Sequence, residues 1–118
     1  MKNNFIGTWK LKYHGYQLDG VDFVTSDYLD GRITYTDDMK MNVLIVTSKD
    51  PNSIKEVIAY SGSYSFDNSQ VSHHIEVSLY SSRNSTVEER TYSFVDNTLV
   101  LRASSDSGRK YKIIWSKV

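Results

Sequence analysis

The side chains of this chain that can move a proton near neutral pH are its three histidines, and two of them are adjacent, His73 and His74. An imidazole with an ordinary pKa of roughly 6.5 gains or loses a proton close to pH 7. In the run Gln70–Leu79, alternation puts Val71, His73, Ile75, Val77 and Leu79 on one face and Ser72, His74, Glu76 and Ser78 on the other. His73 therefore belongs to an apolar face, where a polar ring needs a partner. The following segment presents Thr86, Glu88, Arg90, Tyr92 and Phe94 on one side. An Arg90 guanidinium beside His73 suits a carboxylate or an enolate, with His73 donating a hydrogen bond or shuttling a proton and Glu88 neutralising Arg90 when no ligand is bound. His73 and Arg90 are thus the candidates for catalysis. Together with Tyr92, Tyr13, Tyr35, Met41 and Trp9 they form the candidate ligand-binding set. The same His73, Arg90, Glu88 and a tyrosine also suit a closed internal network with no ligand, because buried polar groups must be paired whatever the function.

Other chemistries find little support. His73 and His74 point to opposite faces and cannot chelate one ion, and the chain has no cysteine, so no metal site and no cofactor are expected. Glu88 and Glu89 also point apart and cannot form a dyad. No Ser-His-Asp order and no phosphate-cradling glycine loop stands out.

Positioning these side chains falls to strands. A first strand is expected over Thr8–Gln17, with Trp9, Leu11 and Tyr13 inward and Lys10, Lys12 and His14 outward. Asp22–Asp27 reads as an irregular crossing with a short strand at Val21–Val24, and Asp30-Gly31 as a turn or bulge. Arg32–Thr36 and Met39–Thr47 form a hairpin about Asp37-Asp38. Lys49–Ser53 is the clearest break, and Ile54–Ala59 leads into strand. Tyr60–Phe66 and Gln70–Leu79 make the central hairpin about Asp67-Asn68-Ser69. Ser81–Ser85 is a polar loop, followed by Thr86–Val95, the turn Asp96-Asn97, Thr98–Ser104 and Arg109–Lys117. About eight antiparallel strands in meander order favour a closed barrel over a two-sheet sandwich, the alternative fold, since closure removes the two exposed edges of an open sheet. The expected inward set is Trp9, Leu11, Tyr13, Tyr35, Met41, Val43, Ile75, Val77, Leu99 and Leu101. One domain over residues 1–118 is expected.

Charge narrows the partners. Lys plus Arg (14) balance Asp plus Glu (14), so nothing in the total points to nucleic acid or an anionic membrane. The first residues run directly into a strand pattern, and no window approaches the roughly 20 apolar residues of a membrane span. A cytoplasmic location is the expectation.

Gly7-Thr8-Trp9 resembles the Gly-x-Trp signature of lipocalins, in which the indole plugs one barrel end beneath a basic side chain; Arg109, Lys110 or Lys112 is the expected cation here. Tyr60-x-Gly62-x-Tyr64, Val71-Ser72-His73-His74-Ile75-Glu76-x-Ser78, Arg90-x-Tyr92, Leu99-x-Leu101 and Ile114-Trp115-x-Lys117 resemble, in order, the bacterial lipocalin-like domain family. Gly31-x-Ile33-x-Tyr35 and Asp38-x-Lys40-Met41 are similar to that family's first hairpin. Phe5–Leu11 is also similar to the opening of intracellular fatty-acid-binding proteins, although Tyr16–Asp30 is too short for their helical lid. The resemblance implies an all-β calycin-type barrel with a pocket. Three functions follow: binding of a small, mainly hydrophobic ligand with a polar or anionic end; isomerase or cyclase chemistry in the same pocket; or a filled barrel acting outwardly as a protein-interaction module.

Overall fold

The computed structural model describes residues 2–25, 28–53, 55–105 and 107–118. Its strands are β1 (Gly7–Leu18), β2 (Val21–Val24), β3 (Tyr28–Tyr35), β4 (Lys40–Ser48), β5 (Glu56–Phe66), β6 (Gln70–Ser78), β7 (Val87–Val95), β8 (Thr98–Ser104) and β9 (Lys110–Lys117), with a short 3-10 turn at Ser81–Arg83. All pairings are antiparallel, β3 through β9 follow one another in sheet order, and β1 pairs with both β3 and β9. Eight strands thus close into a barrel, and β2 lies against the far half of β1, with Gly15–Leu18 opposite Val21–Val24. No helix among the described residues is long and apolar enough to cross a membrane.

The hairpins fall where the turn residues put them. Asp67 stands at the β5–β6 turn because its carboxylate accepts from the backbone N–H groups of Ser69 and Gln70 at 2.8 Å each. Asp30-Gly31 departs from expectation: it is neither turn nor bulge but the middle of β3, opposite Val46 and Ile45. Glycine is needed there because a Cβ on Gly31 would lie 2.4 Å from the Leu44 carbonyl oxygen. Strand β5 begins at Glu56, as the alternation indicates; Ile54, like Ser26 and Asp27 of the expected crossing, lies outside the described residues.

Two bulges set which residues look inward. In β1, Leu11 faces Trp115 while Tyr13 faces Ile114, so β1 advances two residues where β9 advances one, and Lys12 is the extra residue. In β6, Ile75 faces Gly62 while Val77 faces Ser61, which makes Glu76 extra. Each bulge switches the phase of alternation beyond it. His14 therefore turns inward and Tyr13 outward, the reverse of the expected assignment. Val77 and Leu79, expected in the core, are 57% and 58% exposed. The buried core includes Phe5, Trp9, Leu11, Ile33, Tyr35, Met41, Val43, Ile45, Tyr64, Val71, Ile75, Leu99, Leu101 and Trp115.

Candidate functional site

One end of the barrel is filled by rings. Phe5, from the segment before β1, packs against Tyr35, Phe66, Tyr92 and Phe94 with centroids 4.8–5.2 Å away. Such contacts add about 0.5–1.5 kcal/mol per pair beyond their buried area. Trp9 donates its indole N–H to the Phe5 carbonyl at 2.9 Å, and the Lys117 ammonium lies 4.6 Å from the Trp9 ring. The cation over Trp9 is therefore Lys117, its ladder partner, and not Arg109, Lys110 or Lys112. Arg109 instead covers Tyr16 at 4.4 Å. Tyr92 belongs to this plug too, with its hydroxyl donating to the Asp67 carbonyl at 2.5 Å. Trp9, Met41, Tyr35 and Tyr92 of the sequence-derived ligand set are thus packed in or against the core. Tyr13 lies on the outer surface, in a groove with Gln17, Arg102 and Lys112.

Above the plug the interior becomes polar. His73, 2% exposed, lies between two tyrosines: the Tyr35 hydroxyl is 2.7 Å from Nε2 and the Tyr60 hydroxyl 2.8 Å from Nδ1. Tyr35 comes from β3 and Tyr60 from β5, so the network ties three strands across the barrel. Burial, aided by the charges of Arg90 and His74, lowers the His73 pKa to about 3. The ring is neutral at pH 7. Burial raises the pKa of both Tyr35 and Tyr60, so both stay protonated. The neighbour across the ladder from His73 is Glu88; Arg90 stands opposite Val71. Glu88 is held between two cations, with Arg90 Nη2 at 2.6 Å and Arg83 Nη1 at 3.3 Å. His74 faces the other way, 3.0 Å from Ser65 Oγ.

The open end holds a cavity of about 290 Å3 lined by His14, Thr25, Ile45, Thr47, Ile58 and Tyr80 together with Glu56 and Val57. His14 reaches it because of the Lys12 bulge. The His14 Nδ1 lies 2.7 Å from Thr25 Oγ1, and the Thr25 N–H donates to the His14 carbonyl at 3.0 Å, so the end of β2 is latched onto the rim. Burial, then the Arg90 charge, lowers the His14 pKa. Arg90 thus acts on the cavity histidine and on the Tyr35–His73–Tyr60 group together. Of the cavity residues, alternation alone places Ile45 and Ile58. His14 and Thr25 depend on a bulge and a flap that strict alternation does not contain.

A closed eight-stranded antiparallel barrel, plugged by a tryptophan under a lysine of the last strand and open at the other end, is a barrel of the lipocalin type. The profile of the lipocalin-like domain family matches residues 45–118, and the chain belongs to that family. A solved structure, a de novo designed fluorescence-activating β-barrel, is similar over 97% of this chain and 94% of its own at 12% identity, with a TM-score of 0.50. That likeness concerns the fold. A search of curated proteins finds no match.

Proposed function

We propose that this barrel binds, in the cytoplasm, a small and mainly hydrophobic molecule carrying one polar or anionic end. The observation that carries this reading is the cavity at the open end: its volume of about 290 Å3 lies just below the roughly 300–1,000 Å3 usual for small-molecule sites, which suits a ligand of few atoms. Ile45, Val57 and Ile58 give it apolar walls, His14, Thr25 and Thr47 give it hydrogen-bonding groups, and the Arg90 charge felt at His14 stands against the Glu56 carboxylate on the lining, which favours a polar end over a fully charged one. The half of the interior around Trp9, Met41 and Tyr92 serves as foundation, not as pocket.

Binding stands ahead of turnover. His73 is neutral and both of its nitrogens are occupied by tyrosines, so it is not presented to a substrate as a general base. The test is a titration with benzoate, followed through backbone amide NMR shifts. Shifts should cluster at His14, Thr47 and Ile58, and Ile58→Trp, which fills the cavity, should weaken binding by roughly tenfold or more. Shifts confined to the outer surface, or undiminished affinity in the Trp variant, would remove the proposal.

A further inference from the structure

Charge cancels over the whole chain but not over its wall. The neighbouring strands β1, β9 and β8 carry six of the 14 Lys and Arg residues (Lys10, Lys12, Arg102, Lys110, Lys112 and Lys117) and none of the 14 Asp and Glu. Lys117 is turned to the Trp9 ring and the Ile6 carbonyl. The other five are exposed, and none of them forms an ion pair with another described residue. Arg102 and Lys112 stand directly opposite each other in the β8–β9 ladder. Like charges so placed are destabilising until an anion joins them.

The shape of this wall is a trough. Two outer grooves, of about 350 and 410 Å3, meet at Arg102, Lys110 and Tyr111. Tyr13, Gln17 and Lys112 lie in the first, Gln70 and Thr91 in the second. The trough thus runs from β1 over β9 and β8 to β7, about 14 Å at roughly 4.8 Å per strand. Its carboxylates come from the flanking strands: Asp22 of β2, which accepts from Gln17 Nε2 at 3.3 Å, and Glu89 of β7. Tyr13 supplies a ring. A Cβ on Gly15 would lie 2.4 Å from the Tyr13 hydroxyl and 2.7 Å from its Cζ, so glycine there lets the ring lie along the wall. Gly15 is the ladder partner of Lys112, which brings ring and ammonium together. None of the large apolar side chains exposed among the described residues belongs to these three strands. A partner held by apolar contact finds no purchase here, and a flat bilayer meets only the edges of a trough. An extended chain of spaced negative charges carrying flat, unpaired bases meets both cations and a stacking surface.

We propose that this trough is a second binding site, outside the barrel, for a short segment of single-stranded nucleic acid. Arg102, Lys110 and Lys112 neutralise its phosphates, and Tyr13 stacks on one base. Lys10 and Lys12, farther along β1, continue the positive charge on the same wall. The inference does not depend on the cavity at the open end.

Fluorescence anisotropy with a labelled short oligothymidylate tests it. Three neutralised phosphates predict that binding weakens by about tenfold between about 50 and 150 mM salt. The paired substitution Arg102→Gln with Lys112→Gln relieves a repulsion and should fold; it should weaken the oligonucleotide by at least about tenfold at low salt and flatten the salt dependence to about a third. Benzoate affinity should stay the same in that variant, so the two readings fail separately. Tyr13→Leu should weaken the oligonucleotide by about fivefold or more and leave inorganic polyphosphate, which has no bases, unchanged. No binding by the wild type, or undiminished affinity in the Gln pair, overturns the site. Equal binding of the matching duplex or of anionic vesicles, or equal losses of oligonucleotide and polyphosphate in Tyr13→Leu, overturns the assignment to a single strand. Should Tyr13→Leu not fold, the Gln pair and the duplex comparison decide.

Discussion

Gly62 has a large effect for a residue without a side chain. It stands opposite the extra residue of β6, where a Cβ would lie 1.9 Å from the His74 carbonyl oxygen and 3.0 Å from the Glu76 nitrogen. The close approach of the two backbones at the bulge depends on that missing atom. Gly62→Ala should cost about 2–4 kcal/mol, read as a lowered urea midpoint, because the clash is with main chain that cannot rotate aside. A loss below about 0.5 kcal/mol, the size of an ordinary surface change, would contradict the account. Residue identity was a good guide wherever a side chain's partner lay nearby in sequence, as with Asp67 and its own turn. It was a poor guide to partners across the barrel. The cation over Trp9 follows from the β1–β9 register, which places Lys117 opposite Trp9, and that register depends on a bulge.

At the scale of elements, most hairpins were legible because turn residues and alternation coincide; Thr98–Ser104 is a strand with the bounds read from the sequence. The bulge in β1 also left a trace. Its apolar residues run odd at Trp9 and Leu11 and even at Tyr16 and Leu18, and such a phase change is the mark of one inserted residue. The bulge in β6 left none, since Val77 and Leu79 stay in phase with the core residues Val71 and Ile75 yet face solvent. Apolar character on both sides of the bulge hides it. His73 could be placed inside because it precedes the β6 bulge at Glu76, whereas His14 lies beyond the β1 bulge at Lys12 and strict alternation turns it outward, so the cavity that needs it was not found. Strand β2 offers a test of its own. It pairs with β1 alone, and its end is held by the Thr25–His14 side-chain bond. Thr25→Val removes that bond, worth about 1 kcal/mol, and should speed amide exchange across Val21–Val24 by roughly fivefold without moving the global unfolding midpoint much. Unchanged exchange would mean the latch contributes nothing.

For the whole molecule, closure was favoured over a two-sheet sandwich because strands in meander order joined by tight turns can bring the first against the last and so remove both edges, and β1 does pair with β9. Closure also buries His73, and that makes stability depend on pH. The ring has a pKa of about 3 when folded and an ordinary value near 6.5 when unfolded. Between those values the unfolded chain binds the extra proton, so stability is complete above the upper value and falls as pH drops toward the lower one. His14, also lowered, acts in the same sense. Asp50 and Asp67, held below the usual range by turn N–H donors, add to the loss only at still lower pH. Urea midpoints should fall steadily between pH 6 and pH 4, at up to about 1.4 kcal/mol per pH unit for His73. His73→Phe should flatten that slope, and a flat wild-type profile would contradict burial of a neutral ring. One consequence of the strand order concerns passage through the wall. β1 keeps company with β3 only as far as Lys10 and Arg32, then departs with β2, while Leu29–Gly31 of β3 goes on pairing with β4. Along the β4–β5, β8–β9 and β1–β9 ladders a molecule crossing the wall would have to unzip a run of paired strands. Beside this seam the Thr25–His14 bonds hold the end of β2 against the wall, so slipping that fastening gives the flank of the barrel a second doorway besides the open rim.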